Sequence, residues 1–552
     1  MLKNESSSYQ QSQTTLEAPA NTIDSAKFKR RATFLGILAT ICLYLAGFLW
    51  LWASPTGSSP DDDYHLTSLW CPHPVEKSTC KVREINGKKE ILAPRAVVQS
   101  SKCYAFEDTS AACISQIPKN QLTWTKRFDQ GDYPRGFYQI EHIFVGKDFT
   151  HSALSMRWFN WTIGFALVAS IAWLAPRRHR VAIISAPLLA WVPLGTFLIP
   201  SNNPSSWAIS GAFAFAAGLT AATSSSGWRR RTLITLAICG ALLCILSRAD
   251  ASFYVFVLSC AVWIFLGIKR DYRYLLGICV ALSIWGLWVF RTSGQNEALA
   301  SSGSLPLSPL KLFVLNVMEL PNYILGFHGL WNRSLGWFDT PLPQSVHVSA
   351  IFTVILVLFI TCQFMTWRKF ITLGWVAAVI CGVPTLIMVL QKMPFITYQP
   401  RYMFPLYATF LLFALLPSTE KKLVVRKSTS IFIVILLNIS FIGSLLSVLI
   451  RFTRKSSGTF MQMANNPLWW WDNFPLSPVG LLLLSSVLFA LSTTVLLLLF
   501  NSHNKKSSQP LALLTCENTP SRQTVVLTRT SEDSSAEKIT PSQEKHELEV
   551  EK

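Results

Sequence analysis

The 552-residue chain is short of charge: 14% of its residues are Asp, Glu, Lys or Arg, and the acidic sign is the scarcer, 30 against 49. Half of the residues are hydrophobic. Apolar runs of membrane-spanning length recur from Thr33 to Phe500, which no water-soluble core of this size needs, so the chain reads as an integral membrane protein. Other absences narrow the class. No basic stripe with interleaved aromatics appears, so the net charge of +19 speaks for membrane topology and lipid headgroups rather than nucleic acid. No internal repeat stands out, and with it goes the inverted-repeat signature of many secondary transporters. No small-residue cleavage site follows the first apolar run, whose basic flank "KFKRR" (27–31) makes it a retained signal anchor.

Twelve spans are expected, over 33–53, 156–175, 181–199, 207–223, 232–247, 251–268, 274–290, 346–366, 370–390, 402–417, 430–450 and 478–500. With "KFKRR" placed in the cytoplasm, the short loops on that side hold 15 Lys/Arg in 30 residues, against 9 in 103 on the other. The positive-inside rule then puts both termini in the cytoplasm, as an even number of spans requires. Residues 1–32 and 501–552 hold too little apolar surface to fold alone and read as disordered cytoplasmic ends.

Residues 54–155 form the largest soluble piece, outside the membrane, with 12 basic and 12 acidic residues. It carries four cysteines, Cys71, Cys80, Cys103 and Cys113, which suggest two disulfides with three pairings open. The rival is a zinc site of Cys71, His73, Cys80 and Cys103, although the paired C-x2-C spacing is lacking. A second outer segment, 291–345, contains an apolar stretch broken by Glu319 and Pro321, expected to form two helices lying at the outer interface. "LGWFDTPLP" (335–343) follows as a fixed turn. The remaining stretches, 156–290 and 346–500, carry spans 2–7 and 8–12.

Five stretches recur in the order and spacing of a known family: "SPDDDYH" after the first span, "NNPSSWAISGAFAF" (202–215), "LSRADASFYV" (246–255), "LGWFDTPLP" and "QPRYMFPLYATFLL" (399–412). Over roughly residues 33–500 the chain resembles the bacterial multi-pass membrane proteins catalogued as domain-of-unknown-function family 2142. That family looks like a branch of the GT-C membrane glycosyltransferases. The resemblance implies an all-α polytopic fold of about 12 transmembrane helices, GT-C-like, in a bacterial cell membrane. It further implies sugar transfer from a polyprenyl-phosphate donor to a cell-envelope glycan or glycoconjugate on the outer face. The family's acidic motif usually reads Pro-Asp-Glu-x-x-His, so Pro60, Asp61 and His65 match, while Asp62 stands for the glutamate.

Chemistry alone points to the same residues. A sugar on a lipid phosphate has its scissile bond at headgroup level, and Asp61 and Asp62 lie just beyond a span, where either could serve as base. Asp61 and His65, at i and i+4, form either a hydrogen-bonded pair or two ligands of a divalent cation; no other cofactor is implied. Arg248, Arg291 and Arg401 end spans on the outer side, where a guanidinium can grip phosphate, as Tyr402 and the ion-pair partner Asp250 could help it to do. Snorkelling suits Arg291 equally. Trp337 and Asp339 fit a rigid turn or a sugar contact, and Trp469–Trp471 an aromatic belt. A transporter or flippase of envelope lipids, or a non-catalytic assembly protein, is the alternative. A transporter would place polar groups near the midplane, whereas here they gather at the outer ends.

Overall fold

An apolar run in lipid has no water to satisfy its peptide groups, so it must become helix, and this chain is mostly helical. The computed structural model describes residues 20–507 apart from 79, 120, 268–269, 296–304, 330–334, 418–424, 456 and 472–473. The contacts given below lie within Met1–Asn504.

Among the described residues nine helices are long and apolar enough to cross a membrane, and they match nine of the twelve expected spans. The other three are altered by polar groups or proline. The 156–175 run belongs to a longer helix, Phe149–Leu174, that buries Arg157 and Asn160. The 181–199 run breaks into Arg177–Trp191, with Pro187 inside it, and Leu194–Leu198. The 402–417 run opens as a 3-10 turn at Pro400–Tyr402 and leaves only a 12-residue helix, Phe404–Leu415. The two interfacial helices expected around Pro321 exist, Pro309–Met318 and Leu320–Leu325. Leu320–His328 meets Pro309–Met318 at 44°, and the two together are apolar enough for a tenth span. The first helix runs from Ala20 to Ala53, so residues 20–32 continue the span rather than forming the disordered end expected up to residue 32. The remainder of that end, and the tail from 508, lie outside the described residues.

The all-α expectation fails in the 54–155 domain, which holds a three-stranded antiparallel sheet ordered β1 (Lys81–Ile85), β2 (Lys88–Pro94), β3 (Leu122–Thr125). Asn86-Gly87 is the cause. Ile85 pairs with Lys88 across this two-residue loop, and both loop residues have positive φ (54° and 71°), the primed turn whose twist suits a hairpin. Two local disulfides, Cys71–Cys80 and Cys103–Cys113, staple the loops around the sheet and consume Cys71, Cys80 and Cys103, the three thiols of the zinc alternative.

The centre is the Ser205–Thr223 helix, every residue of which is buried. Glycine makes its packing against Gly227–Ser247 possible: a Cβ on Gly211 would lie 2.5 Å from the Gly240 carbonyl, and one on Gly240 2.7 Å from that of Gly211. The N-terminal end of this helix carries "NNPSS", which faces the acidic loop.

Candidate functional site

The loop between the first helix and Asp61 is held carbonyl by carbonyl. Buried Arg157 donates to the carbonyls of Leu51, Ser54 and Pro55, and its Nε to Asn202. Tyr104 donates to the Thr56 carbonyl, Trp337 Nε1 to that of Gly57 at 2.8 Å, and Asn203 to that of Pro60 at 2.9 Å. Five donors from four distant segments therefore fix where the acidic motif begins. Gly57 itself has φ +86°, and a Cβ there would meet Ser100.

The three carboxylates then diverge. Asp61 sits in the left-handed region (φ 61°), tolerable for Asp, and precedes the helix Asp62–Trp70 rather than joining its face. Its side chain is 41% exposed; Oδ2 accepts from Arg401 Nη2 at 2.6 Å and Oδ1 from Arg127 at 3.3 Å. Burial opposes its charge, but Arg401, His65 and Arg127 prevail and hold the carboxyl at about 2. Asp62 is fully buried, and Oδ2 accepts the Ser59 N–H while Oδ1 has no partner. Burial pushes it up to about 7, against the pull of Arg157. Asp63 forms a two-point pair with Arg127, at 2.6 and 2.9 Å.

His65 turns away. Its Nδ1 is 2.8 Å from the Tyr138 hydroxyl, it is buried, and desolvation pushes the imidazole down to about 3, so it is neutral. No side-chain hydrogen bond joins it to Asp61; what links the two is the His65 N–H donated to the Asp61 carbonyl at 2.9 Å. The left-handed Asp61 backbone takes its carboxylate off the helix face that the i, i+4 spacing assumed. Among the described residues no group of three or more His, Cys, Asp or Glu side chains is arranged for a metal ion.

Several other sequence-predicted residues do converge. The Tyr402 ring lies 5.3 Å from the Arg401 guanidinium and 5.4 Å from that of Arg248, and Arg248 grips Asp250 through two hydrogen bonds of 2.8 and 2.9 Å. Arg401 is 10% exposed, yet its Nε and Nη1 are buried without a hydrogen-bond partner. It closes one end of a narrow crevice, walled by Pro60, Phe197, Leu198 and Phe338, with room for little more than a water molecule. The Gln399 side-chain oxygen, also unpartnered, lines the same crevice. Phe338, 5.7 Å from Arg401, is held with φ 64°.

Three residues serve elsewhere. Trp337 supports the Gly57 carbonyl. Asp339 pairs with Arg451 at 2.6 Å and accepts the Trp337 N–H, so it fixes the turn. Arg291 is exposed in the last turn of its helix, with none of the contacts that join Arg248 to Arg401. Trp469–Trp471 pack on one another, and Trp471 donates to the Trp52 carbonyl. Sequence reasoning missed Arg127, Tyr138, Arg157, Phe338 and Arg451. A signal existed for Arg157: a charge near the start of an expected span is costly unless it does something specific.

A family model described as "Predicted membrane protein (DUF2142)" matches residues 43–411, a shorter stretch than the 33–500 over which the motifs were aligned. The chain belongs to that family. No curated protein and no solved structure matches it.

Proposed function

Taking the chain as a member of this membrane-protein family, we propose that it is a GT-C-like glycosyltransferase of twelve spans, with both termini in the cytoplasm of a bacterial cell. It transfers a sugar from a polyprenyl-phosphate donor to a cell-envelope glycan or glycoconjugate at the outer face. The observation that carries the reading is the half-made ion pair at the end of the crevice: Arg401 spends one N–H group on Asp61 and leaves Nε and Nη1 unpartnered beside an apolar wall. An uncompensated buried donor pair on a guanidinium suits a phosphate oxygen, bound in a fork.

In this scheme Asp61 is the base. It is the carboxylate of the motif with substantial exposure, so an acceptor hydroxyl can reach it, whereas Asp62 is sealed behind Ser59 and acts as a positioning residue. The acceptor oxygen gives its proton to Asp61 and forms a bond to the anomeric carbon. The bond from that carbon to the phosphate oxygen breaks, and the electron pair leaves with the polyprenyl phosphate, whose charge Arg401 stabilises. Paired with Arg401, Asp61 is a weak base. A donor phosphate draws on the same guanidinium, relieves that pull and raises the carboxylate's basicity, so the base is strengthened where the donor is present. Arg248, held by Asp250 and stacked on Tyr402, keeps the Arg401 side in register. The crevice is too narrow for a prenyl chain as it stands, so the 335–340 turn with Phe338 has to yield on binding.

The test is release of polyprenyl phosphate from a panel of polyprenyl-phosphate hexoses by the purified protein, with and without an envelope-glycan acceptor. Acceptor-dependent release that is lost in Asp61→Asn supports the reading. Release by no member of the panel, from protein that unfolds cooperatively, speaks for the transporter or assembly alternative.

A further inference from the structure

A second recess lies at the other end of the first helix. Between that helix and Phe149–Leu174 runs an open groove of about 520 Å³, within the roughly 300–1,000 Å³ of small-molecule sites. Small residues make it: Ala166, Ala169 and Ser170 form its floor. Side chains close both ends. Tyr44 bonds Thr162 at 3.0 Å at one, and at the other the Trp173 ring comes so near Gly36 that a Cβ there would sit 3.1 Å from it. Eight residues of helix separate the two closures, ~12 Å. A helix cannot lie in a slot of that length without prying the closures apart, whereas part of a lipid chain fits it and the rest can leave through the groove's open side.

The Trp173 end is strongly basic. Lys29 lies seven residues before Gly36, two helical turns away on the same face, and is exposed, as are Lys27, Arg30 and Arg31. From the first turn of the next helix, Arg177–Trp191, Arg180 donates to the carbonyls of Ala172, Trp173 and Ala175 and stands 6.0 Å from the Trp173 ring. The charges felt by Arg180 are those of Arg177 and Arg229, both repulsive. No carboxylate occurs in residues 27–31 or 176–180. This cluster of like charge needs an anion, and the groove above it has the shape of an alkyl chain.

We propose that this groove binds one anionic phospholipid, an acyl chain lying against Ala166 and Ala169 and the headgroup held by Lys29 and Arg180. The site is separate from the outer ion pair and stands whether or not that pair transfers sugar. The positive-inside rule puts its headgroup in the cytoplasmic leaflet.

Native mass spectrometry of the full-length protein tests it, released from nanodiscs of equal phosphatidylglycerol and phosphatidylcholine. Retained phosphatidylglycerol should exceed phosphatidylcholine by roughly tenfold, as two basic residues near a headgroup would give. Lys29→Gln with Arg180→Gln should bring the two lipids towards parity. Ala169→Phe, which fills the floor, should abolish retention and leave the unfolding midpoint in phosphatidylcholine unchanged. Lys29→Gln alone covers the case in which loss of Arg180 unfolds the protein, and should lower the preference several-fold. Equal retention of both lipids by the native chain would overturn the proposal. So would a preference that survives Ala169→Phe, or a dimer that Ala169→Phe dissociates, which would make the groove a contact between copies.

Discussion

Two arginines at helix ends each meet an aspartate at 2.6 Å, and the similarity stops there. Arg451 is saturated. Besides Asp339 it donates to the carbonyls of Tyr104, Glu107, Thr109 and Asp339, and its side chain is 1% exposed. It joins the helix Lys427–Thr453 to the outer domain and to the 335–340 turn. Arg401 makes one hydrogen bond, keeps two buried nitrogens unpartnered and faces an aspartate that is 41% exposed. A buried charge with every proton placed contributes to the fold; one with protons to spare has kept its binding capacity. The first pair is a joint, and the second is the one proposed above as the donor site.

Removing each arginine should separate the two most sharply. Arg451→Gln strands Asp339 and four carbonyls, a loss on the scale of ~3–5 kcal/mol for a broken buried pair, and should leave little folded protein on size-exclusion chromatography. Arg401→Gln should leave yield near native, because Arg127 still faces Asp61, and should remove use of the lipid-phosphate donor. Asp61→Asn comes next: transfer should fall by about 100-fold or more, the usual scale of a lost base, with the unfolding midpoint little moved. Trp337→Phe gives up one hydrogen bond to the Gly57 carbonyl and should cost about 1 kcal/mol, or roughly 1 °C in a chain of this length, since it acts on the joint and through the loop.

A further comparison is the effect of pH on Asp62. Burial raises this carboxyl to about 7, so the neutral form is the one the fold accommodates. The stability it contributes is complete below the ordinary carboxylate range near ~4 and is lost as pH climbs to about 7. Between pH 5 and 8 the native midpoint should therefore decline by a few degrees relative to Asp62→Asn, which is neutral throughout. Parallel pH profiles would show that Asp62 is not the buried neutral acid described.

The sequence shows the membrane class plainly, since a twenty-residue apolar run has few alternatives to a helix in lipid. It reads three spans less well, where Pro187 interrupts one, a 3-10 turn at Pro400–Tyr402 opens another, and Arg157 and Asn160 dilute the third. The Asn86-Gly87 dipeptide is a hairpin signal in the sequence, but the runs that flank it alternate too weakly to read as strands. Asp61, Arg401, Tyr402, Arg248 and Asp250 lie together as the sequence suggests, because chemistry at headgroup level restricts where charges belong. Arg451 and Asp339 show the limit. They are 112 residues apart, and only the fold reveals that the guanidinium is spent. His65 shows another: the spacing placed it beside Asp61, and one left-handed residue sent it to Tyr138.

The central claim is that the unsaturated pair is where donor phosphate binds. Its most direct measurement is the affinity of a polyprenyl-phosphate hexose for purified Arg401→Gln and for the native chain, read with the unfolding midpoint of each. The account predicts a midpoint close to native and donor binding weakened by at least tenfold, the scale of one lost charge-assisted hydrogen bond. Donor bound as tightly by folded Arg401→Gln as by the native protein would contradict it.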